Sequence, residues 1–181
     1  MKLHKLYLLT AFALVAFGLP SCYSDPEFDV VPSIEFRDVE QYTKVNNTNA
    51  LYDSLVLVVR FQDGDGDLGL SATDPADLEG ENAPGQPFYH NFIVNVSKKE
   101  NGSFQPILVG GVPINYNGRF PRVSTTGREE PLEGDIRFSL NIFQNNALRR
   151  NDTIQFKVQI ADRANHLSNV VSTSEVVMFS K

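Results

Sequence analysis

The alternation of apolar and polar residues is the feature of this sequence that most constrains its fold. The strongest example is residues 51–61, where one face carries only apolar side chains: Leu55, Leu57, Val59 and Phe61. Successive side chains of a strand point to opposite faces, so this pattern predicts a β-strand with one face in a core. Val56 and Val58 make the other face partly apolar, which is typical of a central strand.

Six further segments alternate in the same way and are predicted strands: residues 33–38, 88–98, 104–109, 133–143, 153–161 and 169–179. Weaker predictions complete the chain: short strand pieces at 112–116 and 120–124, a polar loop at 41–49 and a helical turn at 145–151. The adjacent Asn101 and Gly102 predict a hairpin turn. Short alternating strands separated by turns favour an all-β fold, a single antiparallel β-sandwich with Greek-key connections.

The segment from residue 152 to residue 168, DTIQFKVQIADRANHLS, sharpens this prediction. It resembles the penultimate strand and following loop of bacterial Ig-like and fibronectin-type domains. The resemblance implies an Ig-like β-sandwich domain over residues 32–181, with residues 51–61 as strand B and residues 153–161 as strand F. The loops after strands B and F lie at the same end of such a sandwich.

The N-terminus has the features of a secretion signal at residues 1–21. Lys2 and Lys5 precede an apolar stretch, residues 6–19, that is shorter than the roughly 20 residues of a membrane span. The run Leu-Pro-Ser-Cys ending at Cys22 resembles the lipobox of bacterial lipoproteins, which implies lipidation of the Cys22 thiol and anchorage to a membrane. Cys22 is the only cysteine, so no disulfide can form within one molecule.

Residues 22–31 form a predicted acidic tether with Asp25, Glu27 and Asp29 at alternate positions. The tether resembles the export signal that follows the lipidated cysteine in Bacteroidota surface lipoproteins; an ordinary solvated linker is the alternative. Together with the lipobox, it makes the chain similar to small surface lipoproteins of Bacteroidota. This resemblance implies an outer-membrane lipoprotein exposed at the cell surface, and it carries no activity with it.

Charge limits the classes of partner. The formal net charge is −6, and residues 22–81 carry fourteen acidic residues against only three basic ones, Arg37, Lys44 and Arg60. Such a balance argues against nucleic acid or anionic lipid as a partner of this half of the chain and suits the binding of cations.

The best chemical signal is the segment from residue 61 to residue 70, FQDGDGDLGL, directly after the strongest predicted strand. Asp63, Asp65 and Asp67 could turn inward on one hard cation, and the intervening glycines allow a tight loop. Calcium is the expected ion, because it takes six to eight oxygen ligands, whereas magnesium demands a stricter octahedron. Asp162, which follows strand F, is expected to lie at the same end of the sandwich and to join the site.

The loop is an incomplete match to an EF-hand. Its sixth position is Leu68 instead of glycine, and its twelfth position is Asp74 where a bidentate glutamate is expected. A calcium loop of the Asp-x-Asp-x-Asp type within a β protein is therefore the closer resemblance. The alternative is a solvated acidic turn that keeps an exposed edge soluble.

The sequence favours a protein that is not an enzyme. Beyond residue 21 the histidines are His90 and His166, and no zinc-protease, nucleophile-elbow or phosphate-loop motif is present. An acidic cluster could in principle supply paired carboxylates for glycoside chemistry: Glu129, Glu130, Glu133 and Asp135. The prediction is a non-catalytic binding or structural module with an unidentified protein or glycan partner. The alternative is a glycan-binding accessory lipoprotein of a surface uptake system, with Tyr89, Tyr116 and Phe120 as its sugar platform.

Overall fold

The computed structural model describes residues 26–124, 126 and 128–180, so the predicted signal at 1–21 and Cys22 lie outside the described residues. In chain order the strands are β1 Ser33–Val45, β2 Leu51–Asp63, β3 Phe92–Glu100, β4 Ser103–Pro106, β5 Leu108–Val109, β6 Val112–Pro113, β7 Leu132–Phe143, β8 Thr153–Ile160, β9 Val171–Ser172 and β10 Val176–Val177. Two short 3₁₀ helices, Pro75–Leu78 and Gly80–Asn82, lie between β2 and β3. Within the described ranges, none of the helices has the length and apolar character needed to span a bilayer.

The strands form an antiparallel sandwich. One sheet has the order β1-β2-β7, and the other has the order β10-β8-β3-β4 with β9 beside β8. The hairpin β5-β6 pairs separately. Strands β2 and β8, the predicted strands B and F, belong to opposite sheets, as strands B and F do in an Ig-like Greek key. The predicted all-β sandwich is therefore confirmed.

The core forms where the inner faces of the two sheets meet. The predicted inward residues of β2 are buried, and so are their counterparts in the opposite sheet: Phe92, Val94, Val96, Ile154, Phe156, Val158 and Ile160. Phe138 of β7 is only half-buried, but its ring stacks on Phe92 with centroids 4.3 Å apart. Period-two alternation thus identified the residues that join the sheets, because one face of each strand must leave water.

Several local predictions are wrong. Strand β1 continues through the predicted loop at 41–49 as far as Val45, where Val45 pairs with Leu51 and Gln41 with Leu55. The segment 120–124 is not a strand, and the predicted final strand is reduced to β9 and β10. The segment 145–151 has no helix; instead, the Asn145 side chain accepts hydrogen bonds from Ala147 and Leu148 in a turn. Strand pairing in β1, and side-chain capping at Asn145, outweighed local composition.

A buried carboxylate ties the C-terminal segment to the first sheet. Asp53 of β2 is fully buried and accepts hydrogen bonds from the side chains of Gln41 and Thr43 on β1. It also accepts one from the backbone N–H of Phe179, at 2.7 Å. Because buried carboxylates are costly unless they are hydrogen-bonded, these three donors explain how a charged side chain fits here.

Replacing Asp53 with alanine is expected to lower the free energy of unfolding by about 3 kcal/mol, because three donors would lose their acceptor at a buried position. Chemical denaturation should show this loss. The matched control is Glu35→Ala at an exposed ion pair with Arg37, for which a change within about 0.5 kcal/mol is expected. Equal stability of the Asp53 variant and the wild-type protein would contradict the structural role of Asp53.

Candidate metal centre

Three aspartates converge where β2 ends. Asp63 is the last residue of β2 and pairs with Leu132 of β7, while Asp65 and Asp67 follow in the loop. One carboxylate oxygen from each of the three lies within 4.8 Å of the others. The alternating Asp-Gly pattern therefore places three oxygen ligands around one point.

These carboxylates are withdrawn from water. Asp63 is fully buried, and Asp65 and Asp67 are half-buried. Both oxygens of Asp63, and Oδ1 of Asp65 and of Asp67, are inaccessible to solvent and accept no well-formed hydrogen bond among the described residues. A solvated acidic turn does not require such burial, whereas a cation would bind one oxygen of each of the three aspartates.

The electrostatics of the site reflect this unbalanced charge. Burial, followed by the negative charges of Asp65, Asp67 and Asp162, raises the pKa of Asp63 to about 7. Burial and the charges of Asp162 and Asp65 raise the pKa of Asp67 to about 6. In the absence of a cation, the cluster therefore holds protons near neutral pH.

Asp162 lies beside the cluster. Its backbone forms a β-bridge with Leu68, and the next residue, Arg163, donates its N–H to the carbonyl oxygen of Asp67 at 3.3 Å. The Asp162 carboxylate accepts from the His166 backbone N–H at 2.7 Å and lies 2.8 Å from His166 Nδ1. Asp162 is thus at the predicted end of the sandwich, but its oxygens already have partners, unlike those of Asp63.

Backbone from three other segments encloses the loop. Gly64 donates its N–H to the carbonyl oxygen of Asp29 at 2.8 Å, Leu70 donates to Phe120, and Val123 donates to Leu68. A methyl group on Gly66 would lie 2.5 Å from the Glu130 carbonyl oxygen, and one on Gly69 would clash with Pro121. Glycine is therefore required by close approach as well as by the positive φ values of 70° at Gly66 and 91° at Gly69.

Two arginines that sequence reasoning missed hold the long connection between β2 and β3. The Arg119 guanidinium donates to the carbonyl oxygens of Ser71, Asp77 and Tyr89 and stacks on the Tyr89 ring. Arg122 makes two hydrogen bonds to the buried Asp77 carboxylate, at 2.7 and 2.8 Å. Burial alone would raise the pKa of Asp77, but the hydrogen bonds from Arg122 and Ser71 hold it below its usual value. No local sequence pattern predicts that these residues, which are distant along the chain, are in contact.

The other sequence candidates have different surroundings. Glu133, from the acidic cluster considered for glycoside chemistry, is exposed and pairs with Arg60 at 2.8 Å. Of the aromatic residues considered for a sugar platform, Phe120 is buried, and Tyr116 contacts Phe156 edge-on. Tyr89 lies under Arg119. These aromatic residues serve packing within the domain.

Comparisons with models of protein families, with curated proteins and with solved structures find no match to this chain. The chemistry of the site is therefore argued from its own geometry.

Without a cation, the protein should lose stability as the pH rises from about 4 to 7. The folded-state pKa values of Asp63 and Asp67 lie above the usual 3.8, so over this range these two carboxylates hold more protons in the folded protein than in the unfolded chain. Their contribution to the free energy of unfolding therefore falls as the pH rises. The lowered pKa values of Asp77 and Glu133 act in the opposite direction only at the acidic end of the range. Thermal melts of metal-stripped protein measure this fall, and excess calcium should remove most of it.

His166 also lowers the free energy of unfolding as the pH rises, because its hydrogen bond to Asp162 raises its pKa. The control is therefore His166→Gln, which should keep most of the fall if the buried carboxylates cause it. A melting temperature of the metal-stripped protein that stays level or rises over this range would contradict the assignment.

Proposed function

We propose that this protein is a lipid-anchored cell-envelope lipoprotein whose β-sandwich acts as a non-catalytic binding or structural module, stabilised at one end by calcium. The observation that carries the proposal is the buried Asp63 carboxylate, which has no well-formed hydrogen bond among the described residues and lies within 4.8 Å of two further carboxylates. Such an arrangement is costly by itself and becomes favourable around a divalent cation.

Calcium suits this site better than the other common divalent cations. All three candidate ligands are hard carboxylate oxygens, which favour calcium or magnesium over zinc or copper. Calcium also accepts backbone carbonyls and irregular geometry at about 2.3–2.6 Å. An enclosed loop with several backbone segments around it can complete such a shell, and Asp162 adds negative charge beside it.

The surroundings of the cluster support a structural role for the cation. The loop connects β2 of one sheet to segments that follow β8 of the other sheet, through the Leu68–Asp162 bridge and the Arg163–Asp67 hydrogen bond. A cation at this place would join the ends of both sheets. The loop would then present a stiff surface to a partner protein or glycan, with no chemical step of its own.

Calorimetric titration of calcium into the full-length protein in detergent tests the metal proposal. Binding should raise the melting temperature by about 5–10 °C when calcium is at 100 times its Kd, since this concentration adds about 2.7 kcal/mol. Asp65→Asn removes one ligand charge and should weaken binding at least about tenfold. The matched control Asp135→Asn makes the same charge change at an exposed position and should bind as the wild type does. Absence of both heat and a melting shift in the wild type would overturn the proposal.

The anchor proposal depends on Cys22, and Cys22→Ser tests it. The wild-type protein should fractionate with membranes and incorporate a labelled fatty acid, because acyl chains on the cysteine thiol hold it in the bilayer. The variant should lose the label and leave the membrane fraction. A variant that still fractionates with membranes would show that another feature holds the protein there.

A further inference from the structure

The part of the acidic tether that the structure describes, residues 26–31 (the N-terminal linker), contacts the loop that carries Asp63, Asp65 and Asp67 at Gly64. The carbonyl oxygen of Asp29 accepts the N–H of Gly64 at 2.8 Å, and Gly64 lies between Asp63 and Asp65. A methyl group on Gly64 would lie 2.5 Å from the carbonyl oxygen of Phe28 and 2.8 Å from that of Asp29. The linker backbone is therefore in close contact with the residue that joins two of the candidate ligands.

The linker has its own local structure at this contact. The Asp29 side chain accepts the N–H of Val31 at 3.0 Å, which forms a turn just before β1. Phe28 is half-buried and Pro32 is buried, whereas Val30 and Val31 remain exposed. The residues near Gly64 are thus fixed by the domain, although they precede the first strand.

We propose that docking of the linker residues Phe28 and Asp29 on Gly64 is coupled to cation binding, so that a bound cation holds the N-terminal linker against the sandwich. This arrangement, with the cation bound and the linker docked, is called the clasped state. This inference rests on the proposed calcium site. Without a cation, nothing draws the aspartates on either side of Gly64 to one point, so the backbone that the linker contacts is held less firmly. A bound cation fixes these carboxylates and with them the Gly64 backbone that hydrogen-bonds to Asp29.

The coupling must act in both directions. If the cation strengthens docking of the linker by some factor, the docked linker strengthens cation binding by the same factor. The coupling would affect the distance between the domain and its membrane anchor, because Cys22 is six residues before Phe28. Six residues reach at most about 20 Å, so the clasped state would hold the metal-binding end of the domain close to the membrane that carries a lipidated Cys22.

Chymotrypsin cleavage after Phe28, followed by mass spectrometry of full-length protein in detergent, measures linker docking. Calorimetric titration of the same samples with calcium measures binding separately. In the wild type, saturating calcium should slow cleavage at Phe28 at least about tenfold, a coupling within the usual range.

Gly64→Ala should uncouple the two events. It removes no carboxylate, and no positive φ strains the variant backbone, but its methyl group excludes the linker. The variant should bind calcium about tenfold more weakly, and calcium should no longer slow its cleavage. Gly102→Ala, at the β3–β4 turn where a methyl group meets open space, is the control: it carries strain from a positive φ and should leave calcium affinity and protection of Phe28 unchanged.

Two results would overturn the inference while the calcium site survived: calcium binding to the wild type with no change in cleavage at Phe28, or wild-type affinity in Gly64→Ala. No calcium binding to the wild type would overturn the proposed site and the clasp together. Should Gly64→Ala fail to fold, the cleavage rates of the wild type with and without calcium still decide the question.

Discussion

The carboxylate of Asp63 is the constraint on which the loop end of the structure depends. It ends the central strand β2, lies out of contact with water, and has no well-formed hydrogen bond among the described residues. Two further carboxylates face the same point. Burying an ionised carboxylate without a partner is strongly unfavourable, so the native state must neutralise it with a proton or a cation. Cation binding is the outcome that also uses the oxygens of Asp65 and Asp67.

The sandwich fold places Asp63 at the end of the domain where loops from the two sheets meet. Strands β2 and β8 belong to different sheets and end on the same side, so the loops after them meet in the Leu68–Asp162 bridge. The fully hydrogen-bonded Asp53 belongs to the same strand as Asp63. These two buried aspartates differ in one respect: Asp53 is satisfied by protein donors, whereas neither oxygen of Asp63 has a well-formed hydrogen bond among the described residues. This contrast supports the proposal of a cation as the partner of Asp63.

Sequence alone predicted the parts of this structure that follow from local pattern. Period-two alternation identified β2, β7 and β8 with their inward faces, and the spacing of Asp63, Asp65 and Asp67 indicated a common point. The sequence alone could not predict contacts between residues that are far apart along the chain. Strand β1 extends through polar residues because they pair with β2, and the order of the long loop depends on Arg119 and Arg122, some 40 residues further along the chain. The contact of Asp29 with Gly64 depends on tertiary structure in the same way.

The central claim is that a cation satisfies the buried carboxylates, and a crystal structure of the protein grown in calcium tests it most directly. The account predicts an ion bonded to oxygens of Asp63, Asp65 and Asp67 at about 2.3–2.6 Å. Backbone carbonyls or water should complete six to eight ligands. Density for water alone between these side chains, at saturating calcium and a pH above 7, would contradict it.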